Sequence, residues 1–170
     1  KKDKKFKIKH NYLKEQFNIS SPASELTKKT EQLLEESIQM QQLSDVPIGA
    51  FLSGGIDSSL VVALMQKNSS SKIKTFNIGF DFDGYDESPY AEKIAKHLGT
   101  DHSSTKCTKA EAVKIIKSLP SAFAEPFADS SQIPTMLVSK IAKEQVSVVL
   151  SGDGGDELFG GYNRYLLSSG

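Results

Sequence analysis

Residues 51–59 read FLSGGIDSS, where an apolar run passes through Ser-Gly-Gly directly into a helical pattern. Gly54 and Gly55 have no side chains, so the backbone can turn sharply there and approach a ligand closely. The serine hydroxyls can donate hydrogen bonds, and the free N–H groups and dipole at the start of the following helix favour an anion. We call this stretch the first glycine loop, and it predicts a phosphate-binding turn between a strand and a helix.

The first glycine loop differs from the common nucleotide-binding patterns. It is too short for Gly, four residues and Gly-Lys-Ser/Thr, it contains no lysine, and the Rossmann spacing is absent. Asp57 needs a separate explanation, because a carboxylate beside a phosphate repels it unless a cation lies between them. We therefore expect Asp57 to bind Mg²⁺. The alternative is that Asp57 and Ser58 only cap the helix and the glycines only form its entry turn.

A second glycine loop, residues 150–161, reads LSGDGGDELFGG and contains three acids among five glycines. If the strand before it lies next to the strand before the first loop, Asp156 would face Asp57. Two carboxylates together with phosphate oxygens could then complete an octahedral Mg²⁺ site. The alternative is a purely structural acidic turn, since the spacing does not match the helix-loop-helix calcium pattern.

Short apolar runs alternate with helical patterns along the chain. Buried strands are predicted at Pro47–Leu52, Ile73–Phe80 and Val146–Leu150, with a shorter one near 102–106. Helices are predicted at about 24–43, 58–66, 88–98, 109–119 and 133–143. This alternation is typical of an α/β fold with a doubly wound, mainly parallel sheet, in which ligands bind beyond the carboxyl ends of the strands.

Composition limits the class of protein. With 170 residues, 38% of them hydrophobic, one domain is expected at residues 24–170, after a lysine-rich linker or domain end at residues 1–23. Lys plus Arg and Asp plus Glu both number 21, so no overall field favours nucleic acid or a membrane. The single cysteine, Cys107, cannot form an internal disulfide and is expected to be inert. Because the sequence shows no signal segment and no long apolar run, a cytoplasmic location is expected.

The segment SGGIDS at residues 53–58 resembles the pyrophosphate loop of the N-type ATP pyrophosphatases, whose fold is adenine nucleotide α-hydrolase-like. Longer stretches are similar to the asparagine synthetase family, over roughly residues 24–165. They are residues 44–52, 85–91, 125–130 and 151–162.

The resemblance implies ATP and Mg²⁺ as cofactors and assigns a role to each part of the two loops. Residues implied to hold the adenosine through their backbone are Leu52, Ile78, Ser151 and Gly152. Residues implied to hold the pyrophosphate are Ser53, Gly54, Gly55 and Ser58. The aspartates implied to bind Mg²⁺ are Asp57 and Asp156. The implied reaction converts aspartate to β-aspartyl-AMP with release of pyrophosphate, after which ammonia displaces AMP to give asparagine.

Asp153 departs from the resemblance, because well-known members have glutamate there, with a role in forming or attacking the acyl-adenylate. Asp153 is the implied catalytic residue, and the acceptor is aspartate or a related carboxylate. The resemblance implies that ammonia would come from a glutaminase domain that this chain lacks. A homodimer of the full-length protein is expected, and the chain alone is expected to be inactive. The alternatives are a β-lactam synthetase-like enzyme or sugar-modifying amidotransferase, and a nucleotide-binding module without catalysis.

Several polar residues outside the loops have structural alternatives. Asp129 and Ser130 precede a predicted helix and could either cap it or contact the acceptor. Asp86 and Glu87 are expected to be helix caps rather than ligands. His102, like His97, has no metal-ligand pattern near it and is expected to be structural or exposed.

Overall fold

The computed structural model describes residues 22–81, 86–126, 128–163 and 165. The chain divides into two compact units, residues 1–34 and 35–170. The described part of the first unit is the beginning of helix α1, Ala23–Gln42, which continues into the second unit. The predicted linker at residues 1–23 lies almost entirely outside the described residues, so it stays a prediction.

The second unit is built on a parallel sheet of four strands in the order β3-β2-β1-β4. In chain order, after α1, the elements are β1 Ile48–Phe51, α2 Ile56–Lys67, β2 Lys74–Phe80, α3 Ser88–Leu98, β3 Asp101–Cys107, α4 Lys109–Ala122, α5 Gln132–Lys143, β4 Val148–Leu150 and α6 Gly155–Phe159. This architecture confirms the predicted α/β fold.

Helices cover both faces of the sheet. Side chains alternate along a strand, so Phe76 and Ile78 of β2 share one face, where they pack with Val138 and Ala142 of α5. Thr75 lies on the opposite face, and helices α2 and α3 pack against the sheet and each other. Burial on both faces explains why the central strand β1, IGAF, reads as a continuous apolar run.

The element boundaries next to the two glycine loops differ from the predictions for local reasons. Strand β4 begins at Val148 because the N–H of Val146 still donates to the carbonyl of Ala142, at 2.8 Å, in the last turn of α5. Helix α2 begins at Ile56, two residues early, because the N–H of Ser59 donates to the carbonyl of Gly55, at 3.1 Å. Neither shift moves the glycine loops from the ends of their strands.

Helix α1 shows less burial than its sequence pattern predicts. Of its expected apolar positions Ile38 is buried, whereas Leu33 is 56% exposed and Leu43, just past its end, is 84% exposed. The helix begins at Ala23, one residue before the predicted start. In the described ranges, no helix combines the length and apolar character needed to cross a membrane.

The strand order reverses between β1 and β4. From β1 the chain proceeds outward to β2 and then β3 on one side of the sheet. Strand β4 pairs with the other side of β1, where Ala50 lies opposite Leu150. Loops after neighbouring parallel strands on either side of such a point leave a crevice at the carboxyl edge. The two glycine loops follow β1 and β4, so the fold places both at this crevice.

His102 of β3 is half-buried and confirms the expected structural role. Its Nδ1 lies 2.9 Å from the Thr75 hydroxyl, which also lies 3.0 Å from the Thr100 hydroxyl. Its Nε2 is buried and has no hydrogen-bond partner among the described residues. Burial lowers the pKa of His102 below its ordinary value of 6.5, against a smaller opposing effect of Glu92.

We expect His102 to make the protein less stable as the pH falls below 6.5. The unfolded chain takes up a proton there before the folded chain does, so the free energy of unfolding decreases with decreasing pH. Replacing it, His102→Gln, should reduce this slope between about pH 7 and about pH 5 in urea unfolding. The exposed His97→Gln variant should keep the wild-type slope, and equal slopes in the wild type and His102→Gln would contradict the assignment.

Candidate functional site

The two glycine loops touch each other at the carboxyl edge of the sheet. A methyl group added at Gly152 would lie 2.6 Å from the backbone N of Ser58 and 2.8 Å from the backbone C of Asp57. A methyl group at Gly155 would overlap the carboxylate of Asp57. The second loop can therefore lie against the first only because these two positions lack side chains. The predicted meeting of the loops at one edge is confirmed.

The serines of the first glycine loop bond to the loop itself. The Ser58 hydroxyl accepts from the backbone N–H of Ser53 at 3.2 Å, and the two hydroxyl oxygens are 2.9 Å apart. The Ser59 hydroxyl donates to the carbonyl of Gly55 at 2.6 Å, and the N–H of Gly55 donates to the Ser53 hydroxyl at 3.3 Å. These bonds hold the turn in shape before any ligand arrives.

Asp57 does not cap helix α2, in whose first turn it lies. The N-cap residue of α2 is Gly55, no side chain accepts a capping hydrogen bond, and Asp57 and Ser58 lie within the first turn. The half-buried Asp57 carboxylate makes no hydrogen bond or ion pair within the described part of the chain, although its position near the positive end of the helix is favourable. The capping interpretation of this motif is therefore wrong, and the carboxylate keeps its acceptor capacity.

Gly54 and Gly55 have different surroundings. Gly54 has a φ of +91°, and a methyl group there would lie 2.8 Å from Cβ of Tyr90 and 2.9 Å from the backbone N of Ala91. Among the described residues, a methyl group at Gly55 would have one neighbour within 4 Å outside the adjacent residues, the Ser53 hydroxyl at 3.4 Å. Gly54 thus lets helix α3 support the loop, whereas Gly55 leaves an open approach for a ligand.

The sequence did not indicate that α3 lies behind the first glycine loop. Its helical pattern placed a helix at residues 88–98, but the contact of Tyr90 and Ala91 with Gly54 depends on how that helix docks on the sheet. The hydrophobic periodicity of a helix does not indicate which loop the helix contacts.

Leu52 and Ile78 lie at the carboxyl ends of β1 and β2. The Leu52 N–H donates to the carbonyl of Phe76 at 2.9 Å, and the Leu52 carbonyl accepts from the side-chain amide of Asn77 at 3.0 Å. Asn77 is a buried polar residue that the sequence reading missed, although an amide inside an apolar strand was a usable signal. Its amide fixes the Leu52 carbonyl, while a carbonyl oxygen can still accept a second hydrogen bond.

The acids of the second glycine loop have different partners. The exposed Asp153 carboxylate accepts a hydrogen bond from the Ser151 hydroxyl at 3.1 Å. The Ser151 hydroxyl oxygen in turn accepts one from the Asp153 N–H at 3.4 Å. The Asp156 carboxylate lies against the backbone of Gly161. No group of three or more His, Cys, Asp or Glu side chains within the described residues is arranged to hold a metal ion. Sharing of one ion by Asp57 and Asp156 stays a prediction.

Carboxylates outside the loops have local structural roles. Asp86 accepts hydrogen bonds from the backbone and hydroxyl of Ser88 at the start of α3, which confirms its capping role. Asp129 accepts from the N–H of Ser131 at 2.8 Å at the start of α5, and these contacts lower its pKa. Glu87 occupies the N-cap position of α3, as expected, although its side chain makes no capping bond.

Cys107 is buried at the end of β3. Burial raises the pKa of its thiol, so the reactive thiolate is disfavoured. This agrees with the expected inert thiol.

The asparagine synthase family model matches residues 29–169. A putative glutamine-hydrolysing asparagine synthetase of Methanocaldococcus jannaschii is 43% identical over 142 residues, which cover 83% of this chain and 27% of that protein. Asparagine synthetase 1 of Bacillus subtilis is 39% identical over 155 residues, covering 91% of this chain and 24% of that protein. The chain therefore spans about a quarter of the length of these relatives.

Two solved structures share the fold at low identity. An NH₃-dependent NAD synthetase from Campylobacter jejuni has a TM-score of 0.52 at 17% identity, covering 84% of this chain and 62% of that one. An NMN synthetase from Francisella tularensis has a TM-score of 0.53 at 18% identity, covering 85% and 60%. The fold is adenine nucleotide α-hydrolase-like. With the family model matching most of its length, the chain belongs to the asparagine synthase family.

Proposed function

We propose that this chain is the ATP-binding part of an asparagine synthetase that activates aspartate by adenylation. The observation that carries the proposal is the contact of Gly152 and Gly155 with Asp57 and Ser58, where the strand order reverses. Open parallel sheets bind their ligands at such a point. Relatives named asparagine synthetases supply the expected reaction.

The phosphate end of ATP fits the first glycine loop. Its turn is shaped by internal hydrogen bonds, Gly55 leaves an open approach, and the dipole and free N–H groups of α2 favour negative charge. The adenosine would lie toward the backbone of Leu52 and Ile78, whose strands end at the same edge. Binding along this line would place the α-phosphorus between the two loops.

The residues available fit Mg²⁺ bound mainly by its nucleotide. Asp57 offers a half-buried carboxylate without a partner in the described ranges, and hard oxygen ligands suit this ion. No protein cluster of three ligands is present among the described residues, so phosphate oxygens and water would complete the coordination. When bound, Mg²⁺ would neutralise charge on the leaving pyrophosphate. Asp57 and Asp156 would hold it.

The proposed reaction has two balanced steps. A carboxylate oxygen of aspartate attacks the α-phosphorus, a new P–O bond forms, and the bond to the bridging oxygen breaks to release pyrophosphate. Ammonia derived from glutamine then attacks the acyl carbon, loses a proton and expels AMP. Both steps need positioned oxygens and charge neutralisation rather than a covalent protein nucleophile.

Asp153 is the proposed catalytic residue of the second glycine loop. It is exposed beside Ser151, which is expected to contact the nucleotide, so it lies close to where the acyl-adenylate would form. One methylene fewer than glutamate would place its carboxylate further from that group, unless the loop approaches more closely.

We expect the full-length protein to release pyrophosphate from ATP only when aspartate is present, because the acceptor carboxylate is the nucleophile. A coupled pyrophosphate assay over a series of carboxylates measures this directly. Release with a different carboxylate would indicate a related amide-forming enzyme. ATP binding without release for any acceptor would indicate a nucleotide-binding module.

We expect Asp57→Asn and Asp156→Asn each to weaken Mg²⁺-dependent ATP binding in the full-length protein. An amide lacks the negative charge that attracts the ion, and losses of about tenfold or more are typical of altered metal sites. Titration calorimetry with and without Mg²⁺ measures the effect. Asp45→Asn, an exposed aspartate before β1, serves as the control, and wild-type Mg²⁺ dependence in both loop variants would remove the assignment.

We expect Gly155→Ala to weaken Mg²⁺–ATP binding through Asp57. The added methyl group would overlap the Asp57 carboxylate, so either that side chain or the second loop must move. Gly99→Ala is the matched control, since Gly99 has a positive φ of 74° but open space around it. Both variants should lose some stability in thermal unfolding, and only Gly155→Ala should lose ATP affinity. Equal ATP affinities would contradict the role of the contact.

A further inference from the structure

The first turn of helix α3 packs closely against the end of strand β2. The Asp86 carboxylate accepts a hydrogen bond of 3.0 Å from the N–H of Ser88 and one of 2.5 Å from its hydroxyl. Ser88 is only 4% exposed. A methyl group at Gly79 of β2 would lie 2.7 Å from the Asp86 carboxylate and 2.9 Å from the Ser88 hydroxyl. We call this arrangement the Asp86–Ser88 clasp.

The same helical turn supports the first glycine loop. Tyr90 and Ala91 are the residues that a side chain at Gly54 would strike, at 2.8 and 2.9 Å. Their N–H groups both donate to the carbonyl of Glu87, at 3.0 and 3.1 Å, so the turn is hydrogen-bonded from residue 87 onward. A displacement of this turn would therefore reach Gly54 directly, because the contact leaves no spare room.

We propose that Asp86 is a positioning residue for the first glycine loop, because the clasp fixes the helical turn against which Gly54 is held. The inference rests on the proposed function insofar as the loop holds the phosphates of ATP. Asp86 would act through Ser88 and the α3 turn, without touching the nucleotide. Asp86 would thus be a residue required for ATP binding that lies outside both glycine loops.

The chemistry of the clasp suits a fixed anchor. Hydrogen bonds to an ionised carboxylate are shorter and stronger than neutral ones. The bonds from Ser88 lower the pKa of Asp86, and the charge of Lys106 contributes in the same direction. The carboxylate is therefore ionised at neutral pH. A neutral amide could still accept from Ser88, but more weakly, which makes Asp86→Asn an intermediate variant.

Two measurements on the full-length protein separate positioning from general stabilisation. The first is the KM for ATP and for aspartate in the pyrophosphate-release assay. The second is hydrogen exchange of the backbone amides in residues 52–58 without any ligand. Variants are Asp86→Ala, Asp86→Asn and Ser88→Ala. The matched control is Glu111→Ala, since Glu111 accepts from the N–H and hydroxyl of Thr108 at 2.9 and 2.8 Å at the start of α4.

For Asp86→Ala we expect faster exchange in residues 52–58 and a KM for ATP raised about tenfold or more, since small misplacements of binding groups can be that costly. The KM for aspartate should stay within about twofold of the wild type. Asp86→Asn and Ser88→Ala should show smaller changes of the same kind. Glu111→Ala should lower the melting temperature without either effect.

Wild-type exchange in residues 52–58 and an unchanged KM for ATP in Asp86→Ala would overturn the inference. If Asp86→Ala does not fold, the same absence of change in Ser88→Ala and Asp86→Asn overturns it. If the wild type releases no pyrophosphate with aspartate, the proposed function fails separately. The exchange measurement then still decides: faster exchange in the variants supports positioning of the loop by Asp86, and unchanged exchange refutes it.

Discussion

The parallel pairing of β1 with β4 is the constraint on which the rest of the site depends. Ala50 pairs with Leu150, so the two chains leave the sheet side by side and in the same direction. Each then enters a glycine-bearing loop, and the loops touch through Gly152, Gly155 and Asp57. Without this pairing the two sets of acids would lie on unrelated surfaces. With it, they border one crevice where the strand order reverses.

The glycines of the site serve contacts within the protein as much as contacts with a ligand. Gly152 and Gly155 admit the first loop, and Gly54 admits helix α3. Among the described residues, Gly55 has fewer close neighbours than the other three glycines. A cradle for phosphate is therefore supported from behind by a helix and from one side by a second loop. Close packing transmits displacement, so residues such as Asp86 can influence a site that they do not touch.

Family membership and fold agree, but they carry different information about function. The asparagine synthase model covers residues 29–169, whereas the two solved structures share the fold at 17% and 18% identity. The fold therefore accounts for the crevice and its location. Identification of the acceptor would depend on the residues around that crevice, Asp153 among them.

The sequence by itself determined the fold class and the two glycine-bearing turns, whereas their meeting in one site depended on the pairing of β1 with β4. Apolar runs flanked by helical patterns indicate a doubly wound sheet, and Ser-Gly-Gly or Gly-Asp-Gly-Gly at strand ends indicates turns of unusual freedom, because these are local properties of backbone and side chains. Only the tertiary structure decided which glycine meets which neighbour. The contact of Gly54 with Tyr90 and the bond from Asn77 to Leu52 join residues that are 25 or more positions apart. Such pairs depend on how helices and strands dock. The periodicity of one segment carries no information about its distance from another segment.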